Sequence, residues 1–174
     1  TAVGGTILQI NNDSSRANEV VWSDNSNTSS CKNRWGSGGG VSTLFKVPSW
    51  QSGISNPYAH GNRMVPDVSA VAYALAVYFQ GQWGAVGGTS AAAPIWAAGL
   101  ALVNQGLMQQ INKFKATPDI FYLVANHPGS MHPYYDVTHG NNPYYPATPG
   151  YDLATGLGTP NLPDFYLALC NDIM

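Results

Sequence analysis

The sequence predicts an α/β domain, on three observations. Residues 1–10 and 65–78 are rich in the Val, Ala and other apolar residues that suit buried strands. Residues 95–110 carry apolar side chains around most of a helix circumference. The chain of 174 residues, 44% hydrophobic, suffices for one core, with no internal repeat and no interdomain linker to divide it.

The elements follow in order. Residues 1–10 (TAVGGTILQI) read as a strand interrupted by a glycine pair, and polar residues 11–18 as a turn. Glu19-Val20-Val21-Trp22 reads as a second short strand, ahead of a Ser/Asn loop at 23–30. Residues 35–42 are glycine-rich, with a backbone able to lie open to a ligand. Leu44, Phe45, Pro48 and Trp50 read as apolar contacts anchored at the surface, and residues 49–64 as mostly loop. Residues 65–78 are expected to be buried strand, and Gly81-Gln82 a tight turn before Trp83 opens the approach to Gly87. The helix at 95–110 is expected to be buried, because Ile95, Trp96, Leu100, Leu102 and Val103 cover most of it. A second helix is expected at 117–126, with Pro118 near its start and Asp119 favourable to its dipole. Residues 127–160 are dense in Pro, Gly, Asn and Tyr, and so long an irregular stretch needs a staple or a function. Residues 162–169 read as a short terminal helix.

Composition excludes some functions. Charged residues make up 9%, against about 25% in ordinary domains, and the net charge is −2. There is no basic footprint for nucleic acid or an anionic membrane, and no apolar run long enough to span a bilayer. Sparse charge suits work at low pH. The chain starts at Thr1 without an initiator Met, which implies a processed product or a piece of a longer one. Cys31 and Cys170 are compatible with one disulfide, two free thiols or a bond to another segment.

Chemistry concentrates at Gly87-Gly88-Thr89-Ser90-Ala91-Ala92-Ala93-Pro94. The glycines permit a sharp turn, and Pro94 is tolerated in a first helical turn. A serine there meets outward-pointing N–H dipoles, which suit a nucleophile whose attack creates an oxyanion. The same serine could simply cap a buried helix. A serine nucleophile needs a base, yet His60, His127, His132 and His139 stand in no recognisable motif. Asp67 reads as a residue that bonds nearby backbone N–H groups, and Asp119 and Asp164 as helix-start residues. Asp136 and Asp152 bracket turns that expose carbonyl oxygens, a pattern that can cage a hard cation such as calcium, although two ordinary turn aspartates would look the same.

Five segments together resemble the sedolisin family, the serine-carboxyl peptidases of subtilisin-like fold. They are Thr1-Ala2-Val3-Gly4-Gly5-Thr6, Ser37-Gly38-Gly39-Gly40-Val41-Ser42, Val65-Pro66-Asp67-Val68-Ser69-Ala70, the Ser90 segment, and residues 136–160 ending in Tyr151-Asp152-Leu153-Ala154-Thr155-Gly156-Leu157-Gly158-Thr159-Pro160. The resemblance implies a parallel-sheet, three-layer architecture, of which residues 1–174 would be the C-terminal part of a catalytic domain. It implies Ser90 as nucleophile, and Ca2+ held by the Asp136 and Asp152 carboxylates and the carbonyls of Val137, Thr148 and Gly150. Gly38, Gly39 and Gly40 would border the cleft for a protein or peptide substrate. It also implies a secreted protein, or one of an acidic, lysosome-like compartment.

The departures bear on activity. The family pairs its serine with a glutamate base and an aspartate one helical turn apart, but four residues after Glu19 comes Ser23. The family's oxyanion aspartic acid lies in a segment preceding the Thr1 motif. The base and that acid are therefore expected on an N-terminal portion or partner chain of the same enzyme, and this chain alone is expected to be inactive. Two other outcomes are a calcium-stabilised module that binds peptides without cutting them, and an inactive fragment. A smaller departure is Val71-Ala72-Tyr73-Ala74-Leu75-Ala76-Val77, where the family often has acidic and turn residues.

Overall fold

A computed structural model describes residues 1–24, 35–107 and 117–173. Cys31 and the end of the helix expected at 95–110 lie outside the described residues.

The central sheet has three strands, β1 (Val3–Ile10), β2 (Arg16–Val21) and β5 (Val68–Val71), in the order β2-β1-β5. β1 and β2 pair antiparallel with Thr6 opposite Val21, whereas β1 and β5 pair parallel with Val3 opposite Val68. The glycine pair does not interrupt β1. It lets both faces of the strand be packed closely. A Cβ on Gly5 would stand 2.6 Å from Ala72 Cβ and 3.4 Å from Thr89 Cγ2, on the side of the long helix. A Cβ on Gly4 would stand 2.5 Å from Ser69 Oγ and 3.0 Å from the Ala154 carbonyl oxygen, on the opposite side. The layers are therefore a helix, the sheet, and the coil around 136–160. The expected parallel sheet is present, among the described residues, as one parallel pair.

The remaining strands pair antiparallel and two by two. β3 (Gly40–Lys46) pairs with β4 (Asn62–Val65), β6 (Leu75–Phe79) with β7 (Gln82–Val86), and β8 (Tyr134–Tyr135) with β9 (Thr159–Pro160). A 3-10 turn spans Ser49–Gln51. The helices are α1 (Thr89–Leu107), α2 (Asp119–Asn126) and α3 (Leu162–Ile173).

Two expectations are corrected here. The buried strand expected at 65–78 divides at Ala74, whose φ of 56° lies in the left-handed region. Residues 68–72 are buried or nearly so, but β6 and β7 leave the body as a solvated hairpin. Tyr78 and Trp83 face each other across it with ring centroids 5.3 Å apart, and Trp83 is 74% exposed. Its loop is Gln80-Gly81 rather than Gly81-Gln82, with φ of 48° and 82°, as a type I′ turn requires. Second, α1 buries one face only. Ala92, Trp96, Gly99, Val103 and Leu107 face the core, while Ala93, Ala97, Ala98, Ala101 and the 65% exposed Leu102 form an apolar outer stripe.

The core lies between α1, α2 and α3. Trp96 meets Phe121 at 5.2 Å and Phe165 at 5.8 Å, both edge-on, as aromatic quadrupoles favour. Its indole N–H donates to the Ser69 carbonyl at 2.7 Å, tying helix to sheet. Gly99 and Gly106 let α3 approach closely, since added Cβ atoms would meet Leu162 at 2.8 Å and Tyr166 at 2.7 Å.

Two buried carboxylates knit distant segments. Glu19 accepts hydrogen bonds from Thr6, from Arg16 and, at 2.9 Å, from Thr159 Oγ1. The Arg16 guanidinium lies 4.2 Å over the Tyr135 ring. Asp67, fully buried, accepts the Ala2 N–H at 2.8 Å, Arg63 at 2.6 Å and the Tyr122 hydroxyl at 2.7 Å. Gln51 Nε2 donates to the same hydroxyl oxygen at 2.8 Å. Burial and then the Asp67 charge push the Tyr122 hydroxyl well above its ordinary range. For Arg63 burial acts downward, but the Asp67 charge and hydrogen bond outweigh it. Asp67 thus bonds a backbone N–H as expected, and also serves two side chains that the sequence did not pair with it.

Candidate active site

The chain reaches Ser90 along β7 and through Gly87-Gly88. Gly88 has φ of 104°, a conformation that favours glycine, and its N–H donates to the Ala72 carbonyl at 2.7 Å. Gly87 is the only residue type that fits there, since a Cβ would lie 2.9 Å from the same carbonyl oxygen. The turn is thereby fixed to the end of β5. α1 starts at once, with the N–H groups of Ala91 and Ala92 both pointing to the Gly88 carbonyl. Ser90 is exposed in the first turn, before any intrahelical partner for its own N–H is available. An outward hydroxyl beside a free N–H at a helix start is suited to attack on a carbonyl and to stabilising the oxyanion formed. Among the described residues, the Ser90 hydroxyl makes no hydrogen bond with an Asp, Glu or His side chain.

The histidines are elsewhere. His139 Nδ1 lies 3.1 Å from Thr138 Oγ1, and the backbone N–H of His132 donates to Asp164. Glu19 is the buried clamp described above. Asp119 and Asp164 occupy the first turns of α2 and α3, as expected of them.

The three glycines of the Gly38 segment differ. Space beside Gly38 is open, whereas a Cβ on Gly39 would fall 1.6 Å from the Leu153 carbonyl oxygen. Gly40 opens β3 with φ of 148°, against the Tyr145 ring. Glycine at 39 is therefore required by the 136–160 coil pressing on it.

Within that coil the two candidate cation ligands converge on one turn. Asp136 Oδ2 accepts the Gly150 N–H at 2.8 Å, and Asp152 Oδ2 accepts the Thr148 N–H at 3.0 Å. Asp152 Oδ1 takes the N–H groups of Ala154 and Thr155, both at 2.8 Å. Burial raises the Asp152 carboxyl above its ordinary range, opposed by these N–H bonds. Among the described residues, the carbonyl oxygens of Val137, Thr148 and Gly150 accept no hydrogen bond, and no three His, Cys, Asp or Glu side chains cluster. The available donors are thus two carboxylates and uncommitted carbonyls, an all-oxygen set that fits a hard cation such as calcium.

No protein-family profile matches the chain. Individual relatives do. Kumamolisin of Bacillus sp. (strain MN-32) is 35% identical over 161 residues, 82% of this chain and 26% of the relative. Sedolisin of Pseudomonas sp. (strain 101) is 34% identical over 165 residues, 91% of this chain and 27% of the relative. Among solved structures, Pseudomonas sedolisin, a serine-carboxyl proteinase complexed with two molecules of pseudo-iodotyrostatin, superposes with a TM-score of 0.83. It is 32% identical, and the match covers 99% of this chain and 46% of that one. An α/β, subtilisin-like fold follows from this match.

Proposed function

Because this chain belongs to the sedolisin family, we propose that it carries the nucleophile of an acid-acting serine peptidase. The observation that carries this reading is Ser90, exposed in the first turn of α1 and delivered by a glycine turn pinned to Ala72. Ser90 Oγ attacks a peptide carbonyl as its proton passes to a glutamate base. The amine leaves with a proton, and water then hydrolyses the acyl-enzyme. The Ser90 N–H and a protonated aspartic acid hold the oxyanion, a role for which low pH keeps that acid neutral. The base, its orienting aspartate and the oxyanion acid belong to an N-terminal portion or partner chain of the same enzyme. The apolar outer stripe of α1 supports such a partner, because a helix face of Ala93, Ala97, Ala101 and Leu102 in water lacks the burial that stabilises it. Gly38, whose side is open, is the member of its segment best placed to border a peptide cleft.

The test is a fluorescent peptide aldehyde, whose carbon forms a hemiacetal with a serine nucleophile. At acid pH it is expected to bind the full-length protein at Ser90 and to be displaced by substrate peptide. Absence of binding at every pH would favour the peptide-binding module instead.

Calcium would be held by Asp136, Asp152 and the carbonyls of Val137, Thr148 and Gly150, with a structural role. The bound ion would offset repulsion between lone pairs and order the 136–160 coil. Chelation with EGTA is expected to lower the melting temperature, and excess calcium to restore it, the stabilisation amounting to about 2.7 kcal/mol at a hundredfold excess over Kd. A melting curve indifferent to both would remove calcium from the assignment. Secretion, or an acidic compartment, is the localisation that low charge density supports. Among the described residues no helix is long and apolar enough to cross a membrane.

A further inference from the structure

We propose that the groove between the 3-10 turn at Ser49–Gln51 and α2 is a binding site for a basic residue of a polypeptide, a lysine or arginine held by its cationic head and its main-chain amide. The site shares no lining residue with the Ser90 turn or the 136–160 coil, and it stands whether or not the chain belongs to an active peptidase.

The groove has a volume of about 380 Å³ and is lined by Ser49, Trp50, Asp119, Tyr122, Leu123 and Asn126. That size falls within the range of small-ligand clefts, about 300–1,000 Å³. The four helical residues are spaced i, i+3, i+4 and i+7, so α2 turns one continuous face toward it. Its floor is fixed. Tyr122 is fully buried, and its hydroxyl is fastened to Asp67 at 2.7 Å and to Gln51 at 2.8 Å. Gln51 in turn accepts the Met64 N–H at 2.8 Å and donates to the Met64 carbonyl at 2.9 Å. The turn that carries Trp50 is therefore tied to both β4 and α2. The mouth is open, with Trp50 and Leu123 each more than a third exposed.

The chemistry of the lining selects the ligand. Asp119 carries its one formal charge. Among the described residues, the side chains of Asp119, Asn126 and Ser49 make no hydrogen bond. An anion would face the carboxylate, and a wholly apolar ligand would strip water from these groups without replacing it. A cation on an aliphatic stem fits. Its head pairs with Asp119 and is attracted to the Trp50 indole, while Leu123 covers the stem, as apolar surface does for lysine and arginine. Asn126 lies seven residues beyond Asp119, about 10 Å along the helix. That separation suits the length of a basic side chain, whose main-chain amide then meets the Asn126 amide, both a donor and an acceptor. Each contact is weak alone in water, and together they discriminate by charge and length.

The test is a titration of full-length protein with Nα-acetyl-lysine methylamide, followed by NMR at the Trp50 indole N–H. That resonance is assigned by its loss in Trp50→Leu. A saturable shift is expected, with affinity about tenfold higher than for the uncharged norleucine analogue. Asp119→Asn should erase that ratio and Asp119→Glu should keep part of it. Asp119 is exposed in the first turn of α2, so neither variant opens the core, and unchanged melting curves check this. Butylamine, which lacks the main-chain amide, should bind more weakly than the lysine probe. A norleucine analogue that binds as tightly, a ratio that survives Asp119→Asn, or an unshifted Trp50 resonance overturns the proposal. Butylamine binding as tightly as the lysine probe overturns the polypeptide assignment in favour of a free amine. These readouts are of binding alone, so failure of Ser90 as a nucleophile leaves them unchanged.

Discussion

Replacing Ser90 with alanine in the full-length protein is expected to lower kcat for an acid-pH peptide substrate by about 10^4-fold or more. Melting temperature should stay within a few degrees. The two expectations come from the same geometry. Ser90 is exposed, so losing its hydroxyl opens no cavity and strands no buried partner. Alanine is also a good residue for a helix interior. What is lost is the hydroxyl oxygen that the proposed acyl-enzyme needs. Turnover undiminished in Ser90→Ala would remove Ser90 from the reaction, and with it the reading of the glycine turn as a catalytic device. A collapse of stability alongside activity would instead show that the turn depends on the hydroxyl.

The largest effect on stability is expected from Asp67→Ala. Asp67 is fully buried and holds Arg63, Tyr122 and the Ala2 N–H together. Removing one partner of a buried ion pair leaves the other charge uncompensated, at a cost of about 3–5 kcal/mol. For a chain of this size that corresponds to a fall of roughly 10 °C in melting temperature. Tyr122→Phe removes two hydrogen bonds, one donated to Asp67 and one accepted from Gln51, and should cost about 1–3 kcal/mol. Denaturant titration of both variants checks the ranking. Equal, small losses would mean that Arg63 finds water when Asp67 is gone, so that the cluster is less dry than its burial indicates.

Legibility in the sequence followed the range of the interactions involved. The Ser90 turn was legible because its requirements are local: two glycines, small residues, and a proline within the first helical turn. α2 and α3 were legible for the same reason, with Asp119 and Asp164 at their starts. The burial of 65–78 was not. Period and residue type describe what a strand could cover, and nothing local says that β6 and β7 leave the body after Ala74. The positive φ at Ala74 carries no glycine or asparagine to announce it. Asp67 was legible only as a residue that satisfies backbone N–H groups, because Tyr122 reaches it from a remote helix. The face of α1 carrying Leu102 was read as core because its side chains are apolar, but among the described residues nothing covers it. For the 136–160 coil, the aspartates were visible as a pair. That Gly39 must be glycine to admit the Leu153 carbonyl became clear only from the packing.

The Glu19 clamp has a kinetic consequence. It joins residues 6, 16 and 19 to residue 159, while the parallel partner of β1 begins only at Val68. During folding β1 can pair locally with β2, but its parallel partner and Thr159, which is 140 residues from Glu19, arrive from far along the chain. Interactions so far apart in sequence are closed late and slowly. Until they dock, one edge of β1 is unpaired and Glu19 has only Thr6 and Arg16 as partners. Closure of this region is therefore expected to be a late step of folding, in which the open edge of β1 is exposed to association with other chains.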